Sequence, residues 1–67
     1  MASDRMIYMA NQIAAFFRTQ PGGDQAERVA AHLRDFWSPE MRAELRAHAA
    51  ERGEGLDGLV LEAVRLL

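Results

Sequence analysis

This sequence predicts an all-α fold, a small bundle of three to four short helices in one domain over residues 1–67. Apolar residues recur at three- and four-residue spacing in four separate segments, as they do in helices with one buried face. The segments are divided by strong helix punctuation: Gln20-Pro21-Gly22-Gly23, then Ser38-Pro39, then Gly53-Glu54-Gly55. Nothing alternates with period two for long enough to suggest a strand.

The first helix is expected over about residues 4–18, with Ser3 as its cap. Met6, Met9, Ala10, Ile13 and Phe17 fall on one face; Ile7, Ala14 and Phe16 lie on its flanks, and Tyr8, Asn11, Gln12 and Ala15 point away. The second starts at Asp24, which with Glu27 has the spacing of a capping box at the positive helix end. Its apolar set is Ala26, Val29, Ala30, Leu33, Phe36 and Trp37. In an antiparallel hairpin the Phe16–Phe17 pair would lie near the loop and Phe36–Trp37 roughly 20 Å away, at 1.5 Å rise per residue.

Ser38 is placed to cap the third helix, accepting a hydrogen bond from a free amide of the next turn. Pro39 follows at the first helical position, where its missing N–H costs nothing and its fixed φ suits the helix. This helix, to about residue 52, has only a thin stripe of Met41, Leu45 and Ala49, and Gly53 is suited to end it. The fourth begins after Asp57, with Leu56 and Leu61 spaced as a hydrophobic staple. Leu59, Val60, Ala63, Val64 and Leu67 carry its apolar face.

Sixty-seven residues sit near the lower limit for an independent core, and no cysteine is present for a disulfide or a thiolate metal site. Apolar residues reach 49%, but twelve are alanines, which bury little area each. A larger partner, or a homodimer in isolation, is therefore expected. The net charge of −2 gives no electrostatic footprint for nucleic acid. All eight basic residues are arginine, the better residue for planar, partly desolvated contacts. No segment approaches the roughly 20 apolar residues needed to span a bilayer. Residues 6–17 are interrupted by Asn11 and Gln12 and lack the layout of a signal peptide, so a cytoplasmic location and no membrane contact are expected.

No catalytic constellation emerges. The two serines are both cap candidates, and His32 and His48 with scattered carboxylates lack metal-site spacing; they read as surface histidines on helix flanks. Gly22-Gly23 precede a helix without the Lys-Ser/Thr of a phosphate loop, and Asp24 stands where an anion would bind. As a DNA-reading helix the third would offer Arg42 and Arg46, but also Glu40, Glu44 and Glu51. The corner Phe36-Trp37-Ser38-Pro39 holds the only tryptophan beside a phenylalanine, and surplus apolar residues on a small domain mark an interaction patch. Phe17, Phe36 and Leu33 are expected inside, with Trp37, Phe16 and Met41 partly exposed. Interfaces concentrate energy in Trp, Tyr and Arg, so the expected partner-binding set is Phe16, Trp37, Met41 and Arg42.

Three segments carry a family resemblance: Tyr8-Met9-Ala10-Asn11-Gln12-Ile13-Ala14 with Phe16-Phe17; Val29-Ala30, His32-Leu33, Phe36-Trp37-Ser38-Pro39 and Met41-Arg42; and Gly55-Leu56, Leu59-Val60 and Glu62-Ala63-Val64. Together, over residues 5–67, they resemble the delta subunit of NAD-dependent formate dehydrogenase. Glu40, where the family pattern has arginine, and Gly58, where it often has proline, depart from it. The resemblance implies a small accessory subunit with no catalytic residue and no cofactor of its own. Formate oxidation would belong to the large alpha subunit, with a molybdenum or tungsten pterin and iron–sulfur clusters, while beta and gamma subunits pass electrons to flavin and NAD. The alpha subunit is then the expected partner, in support of its assembly or stability. A transient maturation factor for cofactor insertion, or an unrelated small helical regulatory protein, are the alternative readings of the same residues.

Overall fold

Small side chains decide how the helices of this chain meet. The computed structural model describes the backbone from residue 2 onward and the side chains from residue 4 to residue 67. Four helices follow in order, α1 (Ala2–Arg18), α2 (Gln25–Phe36), α3 (Pro39–Glu51) and α4 (Gly58–Val64), and no strand occurs among the described residues. Ala10, Ala14, Ala30 and Ala63 are buried together with Val29, Leu33, Leu45 and Val60, and Met6 and Trp37 complete the cluster. Side chains this small let helix backbones approach closely, and dense packing of the few larger ones supplies the apolar burial.

On α1 the buried line is Met6, Ala10 and Ala14, spaced four apart. Its face is centred on Ala10, so Ala14, expected on a flank, is fully buried, and Met9, expected on the face, stands at its edge and is partly exposed. The cap expected from Ser3 lies on a side chain outside the described residues, and α1 already begins at Ala2.

The punctuation works as local chemistry requires, with one exception. Ser38 Oγ accepts from the Met41 amide at 3.2 Å, and Pro39 occupies the first turn of α3. At the other end of α3 the Gly53 amide donates to the His48 carbonyl at 3.0 Å. Gly53 has φ +65°, a left-handed conformation open to glycine at little cost, and a Cβ there would lie 2.8 Å from Leu61 Cδ2. His48 Nε2 donates to the Glu54 carbonyl at 2.8 Å, closing the loop over this turn. The exception is α2. Asp24 precedes it without a side-chain cap; its carboxylate instead accepts from Arg28 Nε at 3.1 Å, one turn along, so the expected capping box does not form.

A latch between α1 and the loop before α4 sets the remaining geometry. Asn11, expected to point away, is half-buried and lies 100° round α1 from Ala10, on the flank it shares with Ile7. Its Nδ2 donates to the Gly55 carbonyl at 2.7 Å, and its Oδ1 accepts from the Asp57 amide at 2.9 Å. Asp57 in turn caps α4, accepting from the Leu59 amide at 2.9 Å, and pairs with the Arg18 guanidinium at the end of α1. The Arg18 hydrogen bond, helped by the Leu59 amide, holds the Asp57 carboxyl below the ordinary carboxylate value. One short helix is thereby fastened to both the middle and the end of a long one.

Candidate functional site

With alanines filling much of the interior, the large aromatic side chains other than Trp37 are left at its margins. Phe16 and Phe17 stack edge to face with ring centroids 5.1 Å apart. Phe17 meets the His32 ring at 6.0 Å, and His32 lies 4.7 Å from Phe36 in a tilted stack. Four rings thus run in one strip from the end of α1 to the end of α2. The two phenylalanine sites, expected at distant ends of a hairpin, are joined through a histidine expected to be a bystander. Side chains on a helix lean toward its N-terminus. In an antiparallel pair Phe17 therefore leans away from the connecting loop and His32 leans toward it, and the rings meet.

Beside the strip lies a shallow groove of about 440 Å³ between α1 and α2, lined by Tyr8, Met9, Gln12, Ile13, His32, Phe36 and Trp37. It runs into a second depression bounded by Phe16 and Phe17, with Gln12, Ile13 and His32 common to both. No Asp, Glu or Arg lines either one. In a chain with 27% charged residues that is a marked local depletion, the compositional trait of interface centres.

The expected docking residues are distributed differently from the sequence reading. Phe16 is 60% exposed on the strip. Trp37, expected partly exposed, is 7% exposed, and Phe36, expected inside, is 73% exposed. Helical geometry explains the exchange. At 100° per residue Trp37 falls between Leu33 and Ala30, in the middle of the buried face, whereas Phe36 lies 40° from His32 on the flank. The Trp37 amide still donates to the Leu33 carbonyl at 2.9 Å, so its register is helical although its own backbone turns extended. Phe17 is half-buried where full enclosure was expected. Met41 is half-buried and lines a separate hollow with Arg5, Met6, Met9 and Glu44. Arg42 is on another side, donating from Nη1 to the Arg34 carbonyl at 3.1 Å. The structure therefore brings Phe16, Phe36 and the edge of Trp37 to one face and leaves Arg42 elsewhere.

Phe36 and His32 are the members of this face that the sequence reading missed as such; their four-residue spacing on α2 was the available signal. What the face presents is apolar area and ring edges. Away from it, Ser38 Oγ is engaged on the Met41 amide and His48 Nε2 on the Glu54 carbonyl. Among the described residues no three His, Asp or Glu side chains gather where they could hold one metal ion, and no helix is long and apolar enough to cross a membrane.

A family model described as NADH-dependent formate dehydrogenase delta subunit FdsD matches residues 5–64, nearly the whole chain. No curated protein sequence matches it.

Proposed function

The chain belongs to the formate dehydrogenase delta subunit family, and from that premise we propose that it is a non-catalytic accessory subunit. In this reading the α1–α2 aromatic face docks on the large catalytic subunit of a cytoplasmic NAD-dependent enzyme and supports its assembly or stability. The observation that carries it is the ring strip of Phe16, Phe17, His32 and Phe36, bordered by no Asp, Glu or Arg and exposed on a domain too small to leave such surface in water without consequence. Phe16 and Phe36 are the anchors. Trp37 supports the groove floor from within, and Met41 extends the apolar margin beside Met9.

The test is co-expression of a tagged chain with the catalytic subunit, followed by affinity recovery and a sizing column. The wild-type chain and a Glu51→Ala/Glu54→Ala variant, altered on an exposed loop margin, should retain the catalytic subunit one-to-one in active enzyme. A Phe16→Ser/Phe36→Ser variant should lose it while keeping its helical circular dichroism. Undiminished recovery with the double serine variant would remove the strip as the docking face. Absence of the wild-type chain from the active enzyme would exclude a stoichiometric subunit.

A further inference from the structure

A second surface, of opposite chemistry, lies where the end of α2, the first turns of α3 and the end of α4 meet. Arg34, Arg42 and Arg46 converge on one depression with Pro39 and Leu67. Arg46, Arg52 and Arg65 line the next, walled by Leu61 and Val64. No Asp or Glu side chain lines either. Elsewhere Arg18 and Arg28 pair with Asp57 and Asp24, and Arg52, at the edge of the second depression, pairs with Glu54. The other four that line the two depressions, Arg34, Arg42, Arg46 and Arg65, form no ion pair among the described residues. Two of them are held by backbone carbonyls instead, Arg34 Nη1 on Leu66 at 2.9 Å and Arg42 Nη1 on Arg34 at 3.1 Å. A chain with ten acidic side chains and a net charge of −2 thus gathers on one face four of its eight arginines, none of them paired with an Asp or Glu side chain.

We propose that this arginine face binds an acidic amphipathic segment of another polypeptide, its carboxylates on the guanidinium groups and its apolar side chains against Leu61, Val64 and Leu67. Arginine suits this task, because its planar fork matches a carboxylate with two hydrogen bonds and its flat faces tolerate apolar neighbours. The apolar walls favour a peptide over a nucleic acid, whose phosphate backbone has no side chains to fill them, and the overall negative charge opposes a long polyanion. Around α2, Arg34 lies about 160° from both His32 and Phe36 at 3.6 residues per turn. The two surfaces therefore face different directions, and the molecule can be held by both at once. The inference goes beyond the docking of the aromatic strip and stands without it.

The test uses the full chain and a fluorescein-labelled dodecapeptide with leucine at every fourth position and glutamate elsewhere. Fluorescence anisotropy should show binding at low salt that weakens steeply toward physiological ionic strength, where the screening length is about 8 Å. Arg46→Glu/Arg65→Glu should weaken it about tenfold or more, as reversal of close charge pairs does. Neither side chain makes a hydrogen bond or ion pair among the described residues, so the fold is expected to survive; Arg42→Gln is a second, milder variant with the same expected direction. Phe36→Ser should bind as wild type, and the same peptide with glutamine for glutamate should not bind. No binding of the glutamate peptide, equal binding by the reversed-charge variant, or equal binding of the glutamine peptide overturns the proposal. Tighter binding of a duplex oligonucleotide would assign the face to nucleic acid, and a concentration-dependent dimer abolished by the arginine variant would assign it to a second copy; either result also overturns it.

Discussion

Replacing Asn11 by alanine removes both halves of the latch between α1 and the loop that starts α4. The Gly55 carbonyl, on the exposed side, can turn to water, so its bond is worth about 0.5 kcal/mol net. The Asp57 amide is partly buried, and leaving such a donor without a partner costs about 1–2 kcal/mol. The expected loss is therefore about 2 kcal/mol, against a total stability of roughly 3–10 kcal/mol for a domain of this size. In a domain this small that corresponds to a fall in Tm of about 10 °C. The damage should also be local at first. With only seven residues α4 is far too short to persist alone, and Asp57 is both its cap and the residue Asn11 holds. Urea and thermal denaturation of Asn11→Ala beside Gln12→Ala, an exposed neighbour whose side chain makes no hydrogen bond among the described residues, measure the difference. Hydrogen exchange should show α4 amides losing protection before those of α2. If Asn11→Ala loses less than about 0.5 kcal/mol, the range of ordinary surface substitutions, or no more than Gln12→Ala, the latch is not what fastens α4.

Two adjacent aromatics should respond in opposite ways. Trp37→Ala empties a buried site and is expected to cost about 3–5 kcal/mol, enough to unfold much of the population, whereas Phe36→Ala should change the urea midpoint little; circular dichroism compares them, and a larger stability loss from Phe36→Ala would refute the placement of the rings. The pH dependence follows from Asp57, whose folded carboxyl is held below its unfolded value by Arg18 and then by the Leu59 amide. Its contribution is complete above about pH 4, the ordinary carboxylate range, and is lost as pH falls through the lower folded value. Wild type should therefore lose its advantage over Asp57→Asn, which keeps the capping oxygen, as pH falls below about 4; a difference in urea midpoint that stays constant on acidification would contradict the ion pair.

The helices were legible in the sequence because each boundary is chemically local. Ser38-Pro39, Gly53 and Asp57 act within one turn of themselves, and spacing alone located them. Asn11 was not legible, since its partners Gly55 and Asp57 lie 44 and 46 residues away and only tertiary packing brings them together. Asp24 misled for a related reason: an exposed carboxylate had two local partners available, and Arg28 held it rather than the helix amides. The exchange of Phe36 and Trp37 was within reach of the sequence, because the face defined by Val29, Ala30 and Leu33 already points at Trp37. The aromatic strip was half legible. Its His32–Phe36 step is a spacing within one helix, but its Phe17–His32 step depends on how α1 and α2 lie against each other.

The distribution of side-chain size across this small domain argues for an external partner more directly than the count of apolar residues does. A monomer selected for its own stability places its largest apolar groups inside, where each buried phenylalanine adds about 1.5–3 kcal/mol, and leaves alanines to the surface. Here four alanines are buried while Tyr8, Phe16 and Phe36 are each more than half exposed. The two facts are one choice, because close approach of α1, α2 and α4 through alanines removes the interior space that those rings would have filled. What the fold forgoes in core volume it recovers as a strip of rings in contact with one another. That gain has value only when a second surface covers it: Phe36, 73% exposed, would then contribute roughly 1–2 kcal/mol of apolar burial, about 5- to 30-fold in affinity.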